Sequence, residues 1–104
     1  PWDEVTRMRD AFKTRRDLVV DGLNAIDGIS CVRPKGAFYA FPNISGTGQG
    51  SRAFADRLLQ DFGVAALSGT AFGDHGEGFL RLSTANSEAN LTRALERIAA
   101  CAAG

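Results

Sequence analysis

The sequence predicts an α+β fold, in which a small, mainly antiparallel sheet has helices packed on one face and a long helix comes first. Apolar residues recur at helical spacing in three segments of the chain. Between these segments lie short runs of aliphatic and aromatic residues bounded by glycine and proline. The predicted order is helix, two strands, helix, two strands, helix, and residues 1–104 form a single domain.

The first helix is predicted from about residue 3 to about residue 27. Its apolar positions recur at steps of three, four and seven residues, at Val5, Met8, Phe12, Val19, Leu23 and Ile26. At ~1.5 Å per residue such a helix spans roughly 35 Å, which is long for so small a domain. We therefore expect its first turns to extend beyond the domain and to pack on a surface that this chain lacks.

Two strands are predicted next, at residues 30–33 and 37–41. Pro34, Lys35 and Gly36 lie between them and supply the residue types that turns require, so the pair is predicted to form a hairpin.

A second helix is predicted to begin with Ser51 as its cap and to end at Gly63. Its inner face carries Phe54, Leu58 and Phe62. The short apolar stretch at residues 64–67 predicts a third strand, and a glycine-rich connection at residues 68–78 leads to the fourth.

The fourth strand contains an unusual residue, Arg81, within the run Gly78-Phe79-Leu80-Arg81-Leu82-Ser83-Thr84. Side chains alternate along a strand, so Leu80 and Leu82 are predicted to face the core and Arg81 the opposite side. A guanidinium in such a strand is rarely buried without an anion, and its paired donors match a carboxylate. The strand by itself leaves a structural ion pair or an edge-strand charge as alternatives.

A last helix is predicted after this strand. Asn86 or Ser87 caps it, and Leu91, Leu95 and Ile98 face inward.

The composition excludes several classes of protein. Twelve basic residues balance twelve acidic ones, so no net charge favours nucleic acid or an anionic membrane. No apolar run approaches the ~20 residues of a membrane span, and the start has no signal-peptide character, so we expect a cytoplasmic protein. Cys31 and Cys101 lack CxxC spacing and His75 is the one histidine, so reduced thiols and no metal site are expected. Because the chain begins with Pro1 and Trp2 and has no initiator methionine, we expect it to be a piece of a longer protein.

Two further segments could carry chemistry, but a structural explanation is favoured for each. Residues 46–51 lie between a strand and a helix, where phosphate-binding loops occur, yet they match neither GxGxxG nor the lysine-containing P-loop. His75 lies among glycines with Asp74 and Glu77 nearby, which is typical of a solvated turn.

The ordered set of segments resembles the C-terminal small domain of class I/II pyridoxal-phosphate aminotransferases, specifically the aspartate aminotransferase branch. The segments are residues 34–42, residues 63–65 leading to 68–73, residues 78–83, and Asn90-Leu91 with residues 94–97. The resemblance covers essentially the whole chain, and its specificity comes from order and spacing rather than from any one segment.

The resemblance implies that Arg81 binds the substrate's α-carboxylate and that Gly36 lies in the hairpin near the substrate. A bidentate pair would fix the amino acid so that its Cα–H bond lies correctly against the cofactor, pyridoxal 5'-phosphate. Ser68 stands where the family has a proline at the active-site rim, which leaves the rigidity of that loop open.

The family's Schiff-base lysine has no counterpart in this chain, because neither Lys13 nor Lys35 has its setting. The other residues that hold the cofactor are also missing, so this chain alone is predicted to be inactive and to contain no catalytic or cofactor-binding residue. The resemblance implies amino acid and 2-oxo acid substrates, with aspartate first and aromatic amino acids next, and a homodimeric full-length enzyme. Two alternatives remain: the small domain of a carbon–sulfur lyase or cyclising synthase, and a free-standing amino-acid-binding module.

Overall fold

The computed structural model describes residues 2–33 and 38–104, and in these residues the α+β prediction is confirmed. The α-helices are α1 (Trp2–Asn24), α2 (Ser51–Phe62) and α3 (Glu88–Ala102), and the strands are β1 (Tyr39–Ala40), β2 (Leu67–Ser68) and β3 (Leu80–Ser83). Short 3-10 turns lie at Ser45–Thr47, Gly69–Phe72 and Asp74–Gly76.

The three strands form one antiparallel sheet in the order β1-β3-β2, so β3 is the central strand. Tyr39 pairs with Ser83, and Leu67 pairs with Arg81. Leu80 and Leu82 are buried, as the alternation predicts, because their face of the sheet lies against the helices. This helix-covered surface is called the covered face here, and the surface that carries Arg81 is called the open face.

The hydrophobic core lies between the covered face and the three helices. Its largest fully buried apolar side chains come from every layer and include Leu23, Ile44, Phe54, Leu58, Leu80 and Ile98. The inward positions predicted for α2 and α3 are confirmed, with Phe54, Leu58, Leu91 and Ile98 buried and Phe62 and Leu95 packed at the margin.

The first helix ends at Asn24, three residues before the predicted end. The Asn24 side chain accepts a hydrogen bond from the Cys31 N–H (2.8 Å) and donates one to the Cys31 carbonyl (2.9 Å). In the intervening turn Gly28 has φ +88°, and a Cβ there would lie 2.8 Å from the backbone of Gly46. Only glycine therefore allows the chain to leave the helix so close to its neighbour.

The strand predicted at residues 30–33 was wrong beyond its first residue. Ser30 forms an isolated antiparallel bridge with Asn43, but residues 31–33 pair with no strand in the described part of the chain. Asn24 satisfies the backbone of Cys31 instead, and Arg33 binds the carboxylates of Asp21 (2.7 Å) and Asp17 (3.5 Å). The predicted turn at 34–36 lies outside the described residues.

At the ends of α2 one prediction is confirmed and one is corrected, and the strand that follows begins later than predicted. Gly63 ends the helix in the left-handed conformation (φ +70°), as predicted. Ser51 is not the cap, because Gly50 occupies that position and Ser51 belongs to the first turn. The third strand is Leu67–Ser68 rather than residues 64–67, since the Val64 N–H still bonds to the Leu58 carbonyl of the helix end (2.9 Å).

At the start of α3 the Ser87 hydroxyl accepts a hydrogen bond from the Asn90 N–H (3.1 Å), which confirms Ser87 as the cap.

Candidate functional site

Arg81 lies in the middle of β3 with its half-buried side chain on the open face. Its guanidinium carbon is 4.5 Å from the ring centroid of Tyr39 and 4.8 Å from that of Phe72. Both distances lie within the ~6 Å over which a cation is attracted to a ring. The guanidinium is therefore held by two aromatic rings, one from β1 and one from the loop before β3.

Within residues 2–33 and 38–104, the Arg81 side chain makes no hydrogen bond or ion pair. By contrast, the guanidinium of Arg33 forms ion pairs with two aspartate carboxylates at the surface. The two structural explanations for Arg81 therefore fail in the described part of the chain. No carboxylate pairs with it there, and β3 has a neighbour on each side rather than an open edge. A half-buried guanidinium without an anion can offer its paired donors to a planar carboxylate.

The surroundings of Arg81 on the open face are apolar. Five large side chains are exposed there, Tyr39, Phe41, Leu67, Phe72 and Phe79, each between 37% and 58%. Such a cluster of exposed apolar side chains, four of them aromatic, around one cation is typical of a binding surface. A bound carboxylate would be shielded from water by these rings, which strengthens its interaction with the guanidinium.

The glycine-rich connection at residues 68–78 forms the rim of this surface and is called the rim loop. Ser68 caps its first 3-10 turn, because the Ser68 hydroxyl accepts a hydrogen bond from the Thr70 N–H (3.3 Å). Gly69 and Gly76 approach each other so closely that a Cβ on either would overlap the other's carbonyl group. These two glycines let the loop fold back on itself and bring Phe72 over Arg81.

The start of α2, considered above as a phosphate site, is occupied by a carboxylate of the chain itself. Glu77 accepts a hydrogen bond from the Ser51 N–H (3.2 Å) and another from the Ser51 hydroxyl (2.9 Å). The helix N-terminus therefore already has an anion on it. His75 is exposed, in agreement with the solvated turn that the sequence favoured.

The described residues do not fit the binding of pyridoxal phosphate. Lys13 lies exposed on α1, where it lacks the desolvated pocket that a Schiff-base lysine requires. Gly36, the second predicted substrate-binding residue, and Lys35 lie outside the described residues. In the part of the chain that the structure covers, no group of three or more His, Cys, Asp or Glu is placed to hold a metal ion. No helix there combines the length and apolar character that crossing a membrane requires.

Both cysteines are buried free thiols. Burial raises the pKa of Cys31, and a hydrogen bond with the Phe41 backbone opposes that shift in part. Burial also raises the pKa of Cys101, where Arg57 opposes the shift and Asp61 adds to it. Protonated, enclosed thiols are poor nucleophiles, so neither cysteine belongs to the candidate site.

Sequence reasoning identified Arg81 but missed the groups that hold it. Tyr39 shares a face with Arg81 through the pairing of Tyr39 with Ser83, and this register was not readable from the chain. Phe72 reaches Arg81 only because the rim loop folds back. Glu77 was noted in the sequence only as a neighbour of His75, and nothing local pointed to Ser51 as its hydrogen-bond partner.

Comparison with known proteins gives a consistent result. The family model described as "Aminotransferase class I and II" matches residues 2–98. An aspartate aminotransferase of Pyrococcus horikoshii is 46% identical over 97 residues, which are 93% of this chain and 25% of that protein. Aromatic-amino-acid aminotransferase 2 of Thermococcus litoralis is 40% identical, over 93% of this chain and 25% of that protein.

A solved structure agrees with these relatives. The crystal structure of the aspartate aminotransferase from Rhizobium meliloti superposes with a TM-score of 0.90 at 43% identity, and the match covers 99% of this chain and 28% of that one. The chain spans about a quarter of the length of the curated relatives it matches.

Proposed function

The chain belongs to the class I and II aminotransferase family, and from that premise we propose that it is the substrate-carboxylate-binding part of an aminotransferase. The full-length enzyme would move an amino group between an amino acid and a 2-oxo acid. The observation that supports this role is the state of Arg81, a half-buried guanidinium between two rings with no acidic partner among the described residues.

The role of Arg81 is to fix the substrate's orientation. A guanidinium offers two parallel N–H donors to the two oxygens of a carboxylate, and this geometry leaves the substrate little freedom to rotate. Tyr39 and Phe72 restrict the guanidinium itself, so less freedom remains to be lost when the carboxylate binds. Holding the reacting carbon in one orientation is a large part of what an enzyme contributes to such a reaction.

Gly36 is proposed as a second substrate-binding residue on the basis of the resemblance, because it matches a glycine that the family places near the substrate. Aspartate with a 2-oxo acid is the proposed substrate pair, and an aromatic amino acid is the second choice. Relatives of both specificities support this order. We also propose a cytoplasmic homodimer for the full-length protein.

Pyridoxal 5'-phosphate is the proposed cofactor of the full-length enzyme. Since the described residues do not fit it, the groups that bind it are proposed to lie outside this chain. The isolated 104-residue chain is then expected to form no stoichiometric covalent product with pyridoxal phosphate after borohydride reduction. Peptide mapping checks this, and stoichiometric label on Lys13 or Lys35 would contradict it.

Arg81→Lys in the full-length enzyme tests the proposed role. Lysine keeps the positive charge but lacks the two parallel N–H donors of the guanidinium. The value of kcat/KM for both substrates should therefore fall about 30- to 1000-fold, which corresponds to a loss of roughly 2–4 kcal/mol of transition-state stabilisation. The amount of pyridoxal phosphate bound should not change. Arg93→Lys on the exposed side of α3 is the matched control and should behave like the wild type.

A structural role for Arg81 predicts a different result. In that case the Lys variant would melt at a lower temperature while its folded fraction kept near-wild-type kcat/KM. That outcome would falsify the carboxylate-binding role.

A further inference from the structure

Both ends of the rim loop are hydrogen-bonded to the same residue, Ser51 at the start of α2. At the loop's beginning the Ser68 hydroxyl donates to the Ser51 hydroxyl oxygen (3.0 Å). At its end the Glu77 carboxylate accepts from the Ser51 hydroxyl (2.9 Å) and from the Ser51 N–H (3.2 Å). Ser51 is completely buried, Ser68 is half-buried and Glu77 is exposed, so these bonds join a loop at the surface to a buried hydroxyl group.

The direction of this chain of hydrogen bonds follows from its acidic end. An ionised carboxylate can only accept, so the single proton of the Ser51 hydroxyl goes to Glu77. Ser68 must then donate to Ser51, and Thr70 must donate to Ser68, across a distance of 2.8 Å. Each hydroxyl therefore has one compatible orientation, and the Thr70 N–H also donates to Ser68. A chain satisfied in a single direction is more rigid than separate bonds that can reverse.

Phe72 lies between the two attached ends, and its ring stands 4.8 Å from the Arg81 guanidinium carbon. The Gly69 N–H also bonds to the Phe79 carbonyl beside β3 (2.7 Å). The loop is thus attached to α2 by side chains and to β3 by backbone. Displacement of either end from Ser51 would move Phe72 relative to the guanidinium.

We propose that Ser51, with Ser68 and Glu77, is a positioning residue that holds Phe72 over Arg81 and so fixes the guanidinium for binding a carboxylate. Among the described residues, no hydrogen bond or ion pair joins any of the three to the guanidinium. The effect passes through Phe72, and the proposal rests on the carboxylate-binding role proposed above for Arg81. The ligand class is a carboxylate, in amino acid, 2-oxo acid or inert form.

Ser51→Ala in the full-length enzyme is the first test, with propionate as an inert carboxylate probe. Removal of the shared hydroxyl should raise the inhibition constant of propionate and the KM of both substrates by about 3- to 20-fold, the scale of one cation–ring contact. The value of kcat should change less than KM. In a Phe72→Leu background the same substitution should have little further effect, because the ring that it positions is gone.

Ser87→Ala is the matched control, because it removes a hydroxyl from the start of α3 without touching the rim loop. Both variants should melt at a lower temperature, but only Ser51→Ala should change propionate binding. If the two lower the melting temperature alike and neither changes the inhibition constant, the positioning role is overturned.

Ser68 provides a second test that does not alter a completely buried residue. Ser68→Ala removes the hydrogen bond between the beginning of the rim loop and Ser51. It should raise the inhibition constant of propionate, but by less than Ser51→Ala does. Unchanged propionate binding in Ser68→Ala would refute the proposal even if Ser51→Ala failed to fold.

The two proposals fail in different ways. If Arg81→Lys leaves kcat/KM unchanged, the carboxylate-binding role is wrong. If Arg81→Lys has its expected effect while the Ser51 and Ser68 variants bind propionate normally, only the positioning role is wrong.

Discussion

The two faces of the sheet have opposite properties although they are built from alternate residues of the same strands. On the covered face Leu80 is fully buried and Leu82 nearly so. On the open face Phe79 is exposed and Arg81 has only aromatic neighbours for its charge among the described residues. The covered face contributes to the hydrophobic core, and the open face carries the exposed apolar side chains and the guanidinium on which the proposed carboxylate binding depends.

The largest change in stability is expected from a substitution on the covered face. Leu80→Ala should lower the free energy of unfolding by roughly 2–5 kcal/mol, since it leaves a cavity between β3 and the helices. Urea unfolding of the full-length enzyme measures it. Leu67→Ala on the open face is the control and should cost far less, because Leu67 is 46% exposed. Equal losses for the two leucines would mean that the faces do not differ as described.

An intermediate effect is expected from the rings on the open face. Tyr39→Leu should raise the KM of both substrates about 3- to 20-fold, because one of the two rings on the guanidinium is lost. Phe79→Leu removes a ring from the same face without removing one from the guanidinium, and it should leave KM within about twofold of the wild type. Steady-state kinetics of both variants measures the two KM values. A similar KM in the two variants would show that general apolar surface, not the cation–ring contact, matters.

The two cysteines are expected to cause a smaller change in the free energy of unfolding, and this change depends on pH. Burial raises the folded-state pKa of both thiols above their ordinary value of 9.0. Below that value the thiols are protonated in both folded and unfolded chains, and stability is unaffected. As the pH rises above it, unfolded thiols ionise while folded ones do not, so the free energy of unfolding should fall.

Urea unfolding at pH 8 and pH 10, compared with a Cys31→Ala/Cys101→Ala variant, measures the contribution of the two thiols. The drop between the two pH values should be larger in the wild type than in the variant. Fast labelling of both thiols in the folded protein would contradict their burial.

The N-terminal part of α1 exposes large apolar side chains, as the open face does. Substitutions there are expected to have the smallest effect on stability. Val5, Met8 and Phe12 are exposed, with Met8 at 61%, whereas Val19 and Leu23 of the same helix are buried. The isolated chain should therefore self-associate weakly through this end. Sedimentation velocity would show it, and Met8→Ser/Phe12→Ser should reduce it with little change in unfolding free energy. If the wild-type chain and the doubly substituted chain both sediment as monomers, this part of α1 is not a contact surface.

Features that depend on neighbouring residues were readable from the sequence. The alternation around Arg81 and the end of α2 at Gly63 were predicted correctly, and Ser87 is one of the two caps predicted for α3. Each depends on periodicity or on a cap within a few residues, and such local rules are readable from a single chain. The resemblance to aminotransferases followed from the same local segments in their order.

How distant segments meet was not readable from the sequence. Residues 30–33 were predicted as a strand, but the Asn24 side chain satisfies the backbone of Cys31 instead. Glu77 reaches Ser51 across 26 residues, and Phe72 reaches Arg81 through a loop that the sequence showed only as rich in glycine. These contacts depend on which chain segments are packed side by side. Because no local pattern records that packing, the sequence could identify the cation but not the rings and hydrogen bonds that hold it in place.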